Sequence, residues 1–248
     1  MATSARIAAG AAVIAALGAL GAGVSGCSVK VETNSKPAVS AATLQTDLEG
    51  RLDKSGMAYQ SVSCKDDLVA EVGKTAYCDV KFSDTNDISA MFTVNKVEGD
   101  DVKFAITPAM SKEQLQKAVT QITSAQSVTC ESGVDGKIGA TGNCEVTSDG
   151  ITTNRIAEVT KADPSVLGLE LSVVLVLDKQ EVENIVAQEM EADSGQPPDS
   201  VECVEDVVAK TGTVVECAVT SGGQTQAYDV TVTTVEGDTV NFNVVPQS

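Results

Sequence analysis

Three cysteine pairs on one ruler constrain this chain more than any other feature. Cysteine, eight residues, glycine, four residues and cysteine recur as Cys64, Gly73, Cys78, as Cys130, Gly139, Cys144 and as Cys203, Gly212, Cys217. Valine stands two places before each first cysteine (Val62, Val128, Val201) and two places after each second (Val80, Val146, Val219). An apolar residue falls four past the first (Leu68, Val134, Val207). A register kept three times marks an internal repeat, so the 248 residues divide into small units rather than one large domain.

Units of roughly 65 to 70 residues bury too little surface to stand comfortably on apolar contacts, and a covalent staple normally makes up the difference. Only 3% of residues are aromatic, Trp is absent, and the middle unit has no aromatic at all, so its core must be aliphatic and thin. An even-numbered motif repeated intact predicts pairing within each copy: Cys64 with Cys78, Cys130 with Cys144, Cys203 with Cys217. Closing a loop of this length stabilises a fold by ~3 kcal/mol in the chain-entropy picture. The shared Gly73, Gly139 and Gly212 are expected to supply a backbone shape that a side chain would block.

The seventh cysteine has a different setting. Residues 1–26 carry one charge, Arg6, then an apolar and small run from Ile7 to Val24, and end in Val24-Ser25-Gly26 before Cys27. That order of charge, apolar stretch and small residues is an export signal. The tetrapeptide resembles the lipobox of bacterial lipoproteins, which implies lipidation of Cys27 and an anchor on the outer face of the cell membrane. Two or three acyl chains at about 0.8 kcal/mol per CH₂ hold a protein firmly where one chain does not. Residues 27–40, polar with Pro37, read as a tether.

Three units follow, 41–109, 110–177 and 178–248. Each opens with an amphipathic helix: Leu44, Leu48 and Leu52, then Leu115, Val119 and Ile122, then Val182, Ile185, Val186 and Met190. Ser111 with Gln114 and Asp178 with Glu181 predict capping boxes. Strands follow. Tyr228, Val230 and Val232 alternate with polar neighbours, as do Val240, Phe242 and Val244, the pattern of a half-buried antiparallel sheet. Gly99, Gly237, Asp149-Gly150 and Gly222-Gly223 mark the turns. The expectation is α+β: three tandem modules, each a helix on about four short antiparallel strands with one disulfide. The run from Val166 to Leu177 is apolar on both faces, which predicts either burial against a neighbouring module or a binding edge.

No catalytic constellation is present. There is no histidine, which removes Ser-His and Cys-His arrangements and mixed-ligand zinc sites. Gly73-Lys74-Thr75 lacks the leading glycine of a phosphate loop, because residue 68 is Leu68. Asp84, Asn86 and Asp87 lack the glycine and distal glutamate of a calcium loop. No metal or other cofactor is expected. With 17 basic residues against 35 acidic, nucleic acid is excluded as a partner.

The phrase Val-x-Cys, an apolar residue four on, Gly, Cys-x-Val and then Val-Glu-Gly-Asp-x-Val-x-Phe, as in Val97 to Phe104 and Val235 to Phe242, resembles the domain of unknown function 4333 family. The resemblance covers nearly all of residues 41–247 as three copies, strong in the first and third and weaker in the second. Its members, exported and lipid-anchored proteins of actinobacteria, often carry proline after the first cysteine, where this chain has Lys65, Glu131 and Val204. The resemblance implies a secreted, disulfide-stapled module and adds no catalytic residue. The functional expectation is a noncatalytic envelope protein, held to the membrane by its lipid, whose modules bind or scaffold a protein or cell-wall partner. The alternative is an inhibitor or regulator of an exported enzyme, acting through the loop between paired cysteines.

Overall fold

The structure, a computed structural model, describes residues 3–6, 37–99 and 101–247. The lipobox residues Val24, Ser25 and Gly26 and the lipidation candidate Cys27 lie outside the described residues. Among the described residues antiparallel strands predominate, with three helices, α1 (Ala41–Ser55), α2 (Lys112–Thr123) and α3 (Lys179–Ser194). Two compact units divide the chain, Met1–Thr107 and Pro108–Ser248.

The helices begin where their side chains satisfy free N–H groups. Both expected capping boxes form: Ser111 with Gln114, and Asp178 with Glu181. Ser40 caps α1 by accepting from the Thr43 N–H. Leu44, Leu48 and Leu52 are buried, as are Leu115 and Val119, and Val182 and Val186. Ile122 is a correction: it is 52% exposed. A four-residue step rotates a buried stripe by about 40° per turn, and a residue three on from Val119 falls on its trailing side.

In the first unit, strands Ser61–Cys64, Thr75–Lys81 and Asp87–Glu98 and the part of Asp101–Met110 up to Thr107 lie side by side in that order. Thr3–Arg6, from the stretch read as an export signal, pairs antiparallel with Asp101–Phe104 at the edge. Phe92 and Phe104 meet edge to face at 5.2 Å in the core. At the last hairpin Glu98 takes Lys96 Nζ at 2.6 Å and Lys103 Nζ at 2.9 Å. The Lys96 hydrogen bond first, then Lys103, hold its carboxyl down to about 2. A carboxylate whose pKa is depressed on folding stabilises the fold above the ordinary value of 4.5, and that contribution is lost as pH falls towards about 2. The expected NMR titration midpoint of Glu98 is therefore near 2, rising towards 4.5 when Lys96 and Lys103 are both alanine. An unchanged midpoint in that variant would refute the pairing.

The second unit holds two sheets. One runs Ser127–Cys130, Thr141–Ser148, Ile151–Asp163, Gly168–Leu177; the other runs Ser200–Cys203, Val214–Ser221, Gln224–Glu236, Thr239–Pro246. Each has its own core. Leu115 and Val119 meet Cys130, Cys144, Val146, Ala157 and Val159 in one, while Val182 and Val186 meet Cys203, Cys217, Val219, Val230 and Val232 in the other. The strands are longer than the short ones expected, up to 13 residues in Ile151–Asp163 and Gln224–Glu236. The reason is a bulge in each, between Val159 and Lys161 and between Val232 and Thr234, which shifts the alternation without ending the pairing. Asp149-Gly150 and Gly222-Gly223 both have positive φ at both positions, as two-residue hairpin turns require.

The doubly apolar strand starts two residues later than expected, at Gly168. Leu167 before it is buried and left-handed, with φ of 48°. Leu169, Leu171 and Val173 pack on the first of these cores, and Leu177 packs on the other. Val176 and Leu177 also pair with Val208 and Val207. The far end of the strand is thus shared by both sheets of this unit, which also meet in ion pairs of Arg155 with Asp238 and of Lys210 with Glu158.

Candidate functional site

The three cysteine pairs are bonded as the ruler predicts, Cys64–Cys78, Cys130–Cys144 and Cys203–Cys217. In each case the partners face one another on adjacent antiparallel strands, with Cα atoms 4.1, 3.9 and 4.0 Å apart. Cα atoms come this close only at a pair not bridged by backbone hydrogen bonds. The neighbouring N–H of Glu131 bonds to the Asn143 carbonyl and that of Val204 to Glu216, as this register demands.

Between the cysteines lies the same turn three times. Lys74 N–H donates to Glu71 O, Ala140 to Lys137, and Thr213 to Lys210, with Gly73, Gly139 and Gly212 third in each turn at φ of 85°, 83° and 89°. A positive φ at that place after a residue of ordinary φ is a type II turn, which selects glycine. No neighbour crowds the missing side chain, so the constraint is the backbone angle alone. The glycine N–H then donates to Val94, Val159 or Val232, tying the turn to the long strand. The residue before the glycine is pushed outward: Val72 is 64% exposed and Ile138 67%.

The same loops cap the helices, a role the ruler alone does not reveal. Asp67, three past Cys64, accepts from the first N–H of α1 at 2.8 Å, and Asp206, three past Cys203, accepts from that of α3 at 3.0 Å. Each carboxylate meets the positive end of a helix. The corresponding Gly133 has no side chain to do this, and a Cβ there would lie 2.0 Å from Met110 O. The signal was available as Cys-x-x-Asp in two copies of three.

A groove of about 800 Å³ opens on the third sheet beyond the C-terminal end of α3. Its floor is the inner face of the hairpin, because Val219 lies opposite Gln226, Ser221 opposite Gln224, and Cys217 opposite Tyr228. Successive alternate residues of a strand share a face, so Gln224 and Gln226 continue the row that buries Val230 and Val232. Met190, Asp193 and Gln196 supply the wall from the helix end. In the first sheet the place of Gln226 is taken by Ile88, opposite Val80, and both are buried. The second sheet has Thr153 at the place of Gln226 and Ile151, 68% exposed, at that of Gln224, so of the two glutamines only Gln226 stands where another copy has apolar core. Sequence reading missed them because it began the alternation at Tyr228.

Among the described residues no cluster of three or more His, Cys, Asp or Glu could hold a metal ion, and no helix is long and apolar enough to cross a membrane. A family model described as "Domain of unknown function (DUF4333)" matches residues 22–99 and 166–237. No curated protein and no solved structure matches the chain.

Proposed function

The chain belongs to the DUF4333 family, and from that premise we propose that it is a lipid-anchored protein of the outer face of the cell membrane, built of three tandem noncatalytic modules that bind or scaffold an envelope partner. Each module is a helix laid on an antiparallel sheet and pinned by one disulfide. The observation that carries this reading is the set of three cross-strand disulfides, since such bridges persist in oxidising compartments and are rare in a reducing cytosol. The stretch ending in Val24-Ser25-Gly26-Cys27 supports the anchor. Without Arg6 the mature chain carries 16 basic against 35 acidic residues, so its body is repelled from an anionic surface while the lipid holds it there.

Labelling cells with palmitate and partitioning their proteins into detergent tests the anchor. The wild-type chain is expected in the detergent phase carrying label, and Cys27→Ser in the aqueous phase or unprocessed. Identical behaviour of the two would sink the lipid reading.

A second reading, inhibition of an exported enzyme, is favoured by Val72 and Ile138, apolar residues held outward at the tips of disulfide-closed loops. Cross-linking on intact cells separates the two. A single stoichiometric enzyme joined at these tips supports inhibition, whereas wall polymer or several proteins supports scaffolding.

A further inference from the structure

We propose that the chain self-associates through the free edge of the third sheet, where Thr239–Pro246 pairs antiparallel with the same strand of a second copy about a two-fold axis at Phe242. The inference goes beyond the envelope-binding reading and does not depend on it.

Unused backbone identifies the edge. Thr239–Pro246 ends its sheet, and among the described residues no strand pairs on its outer side. The Gln247 N–H donates inward to the Ala227 carbonyl, and direction alternates along an antiparallel ladder. Val245, Asn243 and Asn241 therefore bond towards Gln224–Glu236, whereas Val244, Phe242 and Val240 turn their N–H and C=O outward. Val232, opposite Phe242, agrees: its own N–H and carbonyl bond to Thr213 and Gly212 on the far side. The outward row ends at Pro246, where a missing N–H breaks no bond of the sheet.

Exposed edges are normally blunted by shortness, charge or a cover. Ser61–Cys64, Ser127–Cys130 and Ser200–Cys203 are four residues each. Asp101–Met110 carries Asp101 and Lys103 and is covered by Thr3–Arg6, while Gly168–Leu177 carries Glu170 and is covered at its end by Val207–Val208. Thr239–Pro246 is eight residues long, uncharged and uncovered by any described strand. Phe104 and Phe242 hold the same place in the repeat, so the strand paired at Asp101–Phe104 shows that this edge accepts an antiparallel neighbour.

Charge and register select a second copy as the occupant. In a chain of net charge −18 two copies repel wherever acidic surfaces meet, and this strand brings no charge to the contact. With Phe242 opposite Phe242 of the copy, Val240 falls opposite Val244, and every outward N–H and C=O between them is used. A slip of the pairing sets Val240 against Pro246, which has no N–H, or Val244 against Asp238 in the turn. The centred register also lays the two half-buried Phe242 rings side by side and sets Asn241 against Asn243, where amide donors meet amide acceptors. Since the two-fold uses the edge of both copies, association closes at a dimer.

Sedimentation equilibrium of the full chain in density-matched detergent is expected to give a dimer with Kd of about 10 µM or tighter. Amide exchange at Val240, Phe242 and Val244 should slow as concentration rises through that value. Val244→Pro removes an outward donor and leaves the sheet's own bonds in place, so it should weaken the dimer at least about tenfold while Val214–Ser221 stays protected. Asn241→Asp combined with Asn243→Asp keeps the backbone intact and opposes like charges across the axis, with a similar loss. Register is read by mixing an Asn241→Cys chain with an Asn243→Cys chain under oxidation: the mixture should form a disulfide-linked dimer that neither chain forms alone. A monomer at about 100 µM, a dimer indifferent to the paired aspartates, or no cross-link in the mixture would each overturn the proposal. So would protection of Val240, Phe242 and Val244 that appears only with envelope extract, which would give the edge to another protein.

Discussion

Replacing Cys130 and Cys144 together by alanine is expected to remove about 3 kcal/mol of stability from the second sheet and its helix, the value of closing a loop of this length. The same double substitution at Cys64 and Cys78 or at Cys203 and Cys217 removes a similar amount, but the consequences differ because the cores differ. The first core holds the packed pair Phe92 and Phe104, and the third draws on Tyr228 and Phe242. The second is Leu, Val, Ala and the disulfide itself. A fold of this size has only a few kcal/mol to spare, so the second assembly is the one expected to lose its structure at 37 °C. Hydrogen exchange read region by region checks this: amides of Thr141–Ser148 should exchange freely in the variant, while those of Thr75–Lys81 stay protected. Reduction of the wild type separates the cross-link from packing, since the sulfurs remain in place. A variant that keeps full protection in Thr141–Ser148 would show that the bridge is not what holds this core.

How far the sequence reached can be followed residue by residue. Pairing and turns were legible because each depends on chemistry that few residues can supply: a thiol with its partner, a positive φ with glycine, a capping hydroxyl or carboxylate three residues from its Gln or Glu. Strand lengths were not, because the bulges at Thr160 and Thr233 put an apolar row out of phase with itself. A reader following period two stops there, although the ladder continues. Ile122 was misplaced for a related reason: apolar spacing of three and of four both fit a helix, and only the sheet beneath decides which is buried. The groove was hidden by its own polarity. Gln224 and Gln226 look like hairpin surface until the register with Ser221 and Val219 puts them on the inner face. The aspartates that cap α1 and α3 lie 26 and 27 residues from the N–H groups they accept from, so the recurring Cys-x-x-Asp was visible but not the helix it serves.

Gly142→Ala tests whether helix and sheet are fitted to one another. The place two before the second cysteine is Ala76, Gly142 and Val215, and the first buried apolar residue of each helix is Leu44, Leu115 and Val182, all but the glycine among the buried hydrophobics. Where the helix presents the smaller valine the strand carries the larger one, and where it presents leucine the strand carries alanine or nothing. A Cβ on Gly142 would lie 2.6 Å from Leu115 Cδ2 and 3.1 Å from Val134 Cγ1. Contact that close forces Leu115 off its rotamer or lifts the helix, at a cost of about 1–3 kcal/mol, offset in part by the ~0.5–1 kcal/mol that alanine gains over glycine within a strand. Leu115→Val alone removes a buried methylene at a cost of about 1 kcal/mol. Combined, the two should cost less than their sum by about 1 kcal/mol, because the shorter side chain makes the room that the new methyl needs. Chemical unfolding of the four proteins of this cycle measures the coupling. Strict additivity would mean that Leu115 does not rest on Gly142, and the argument that each helix is sized to its own strand would fail with it.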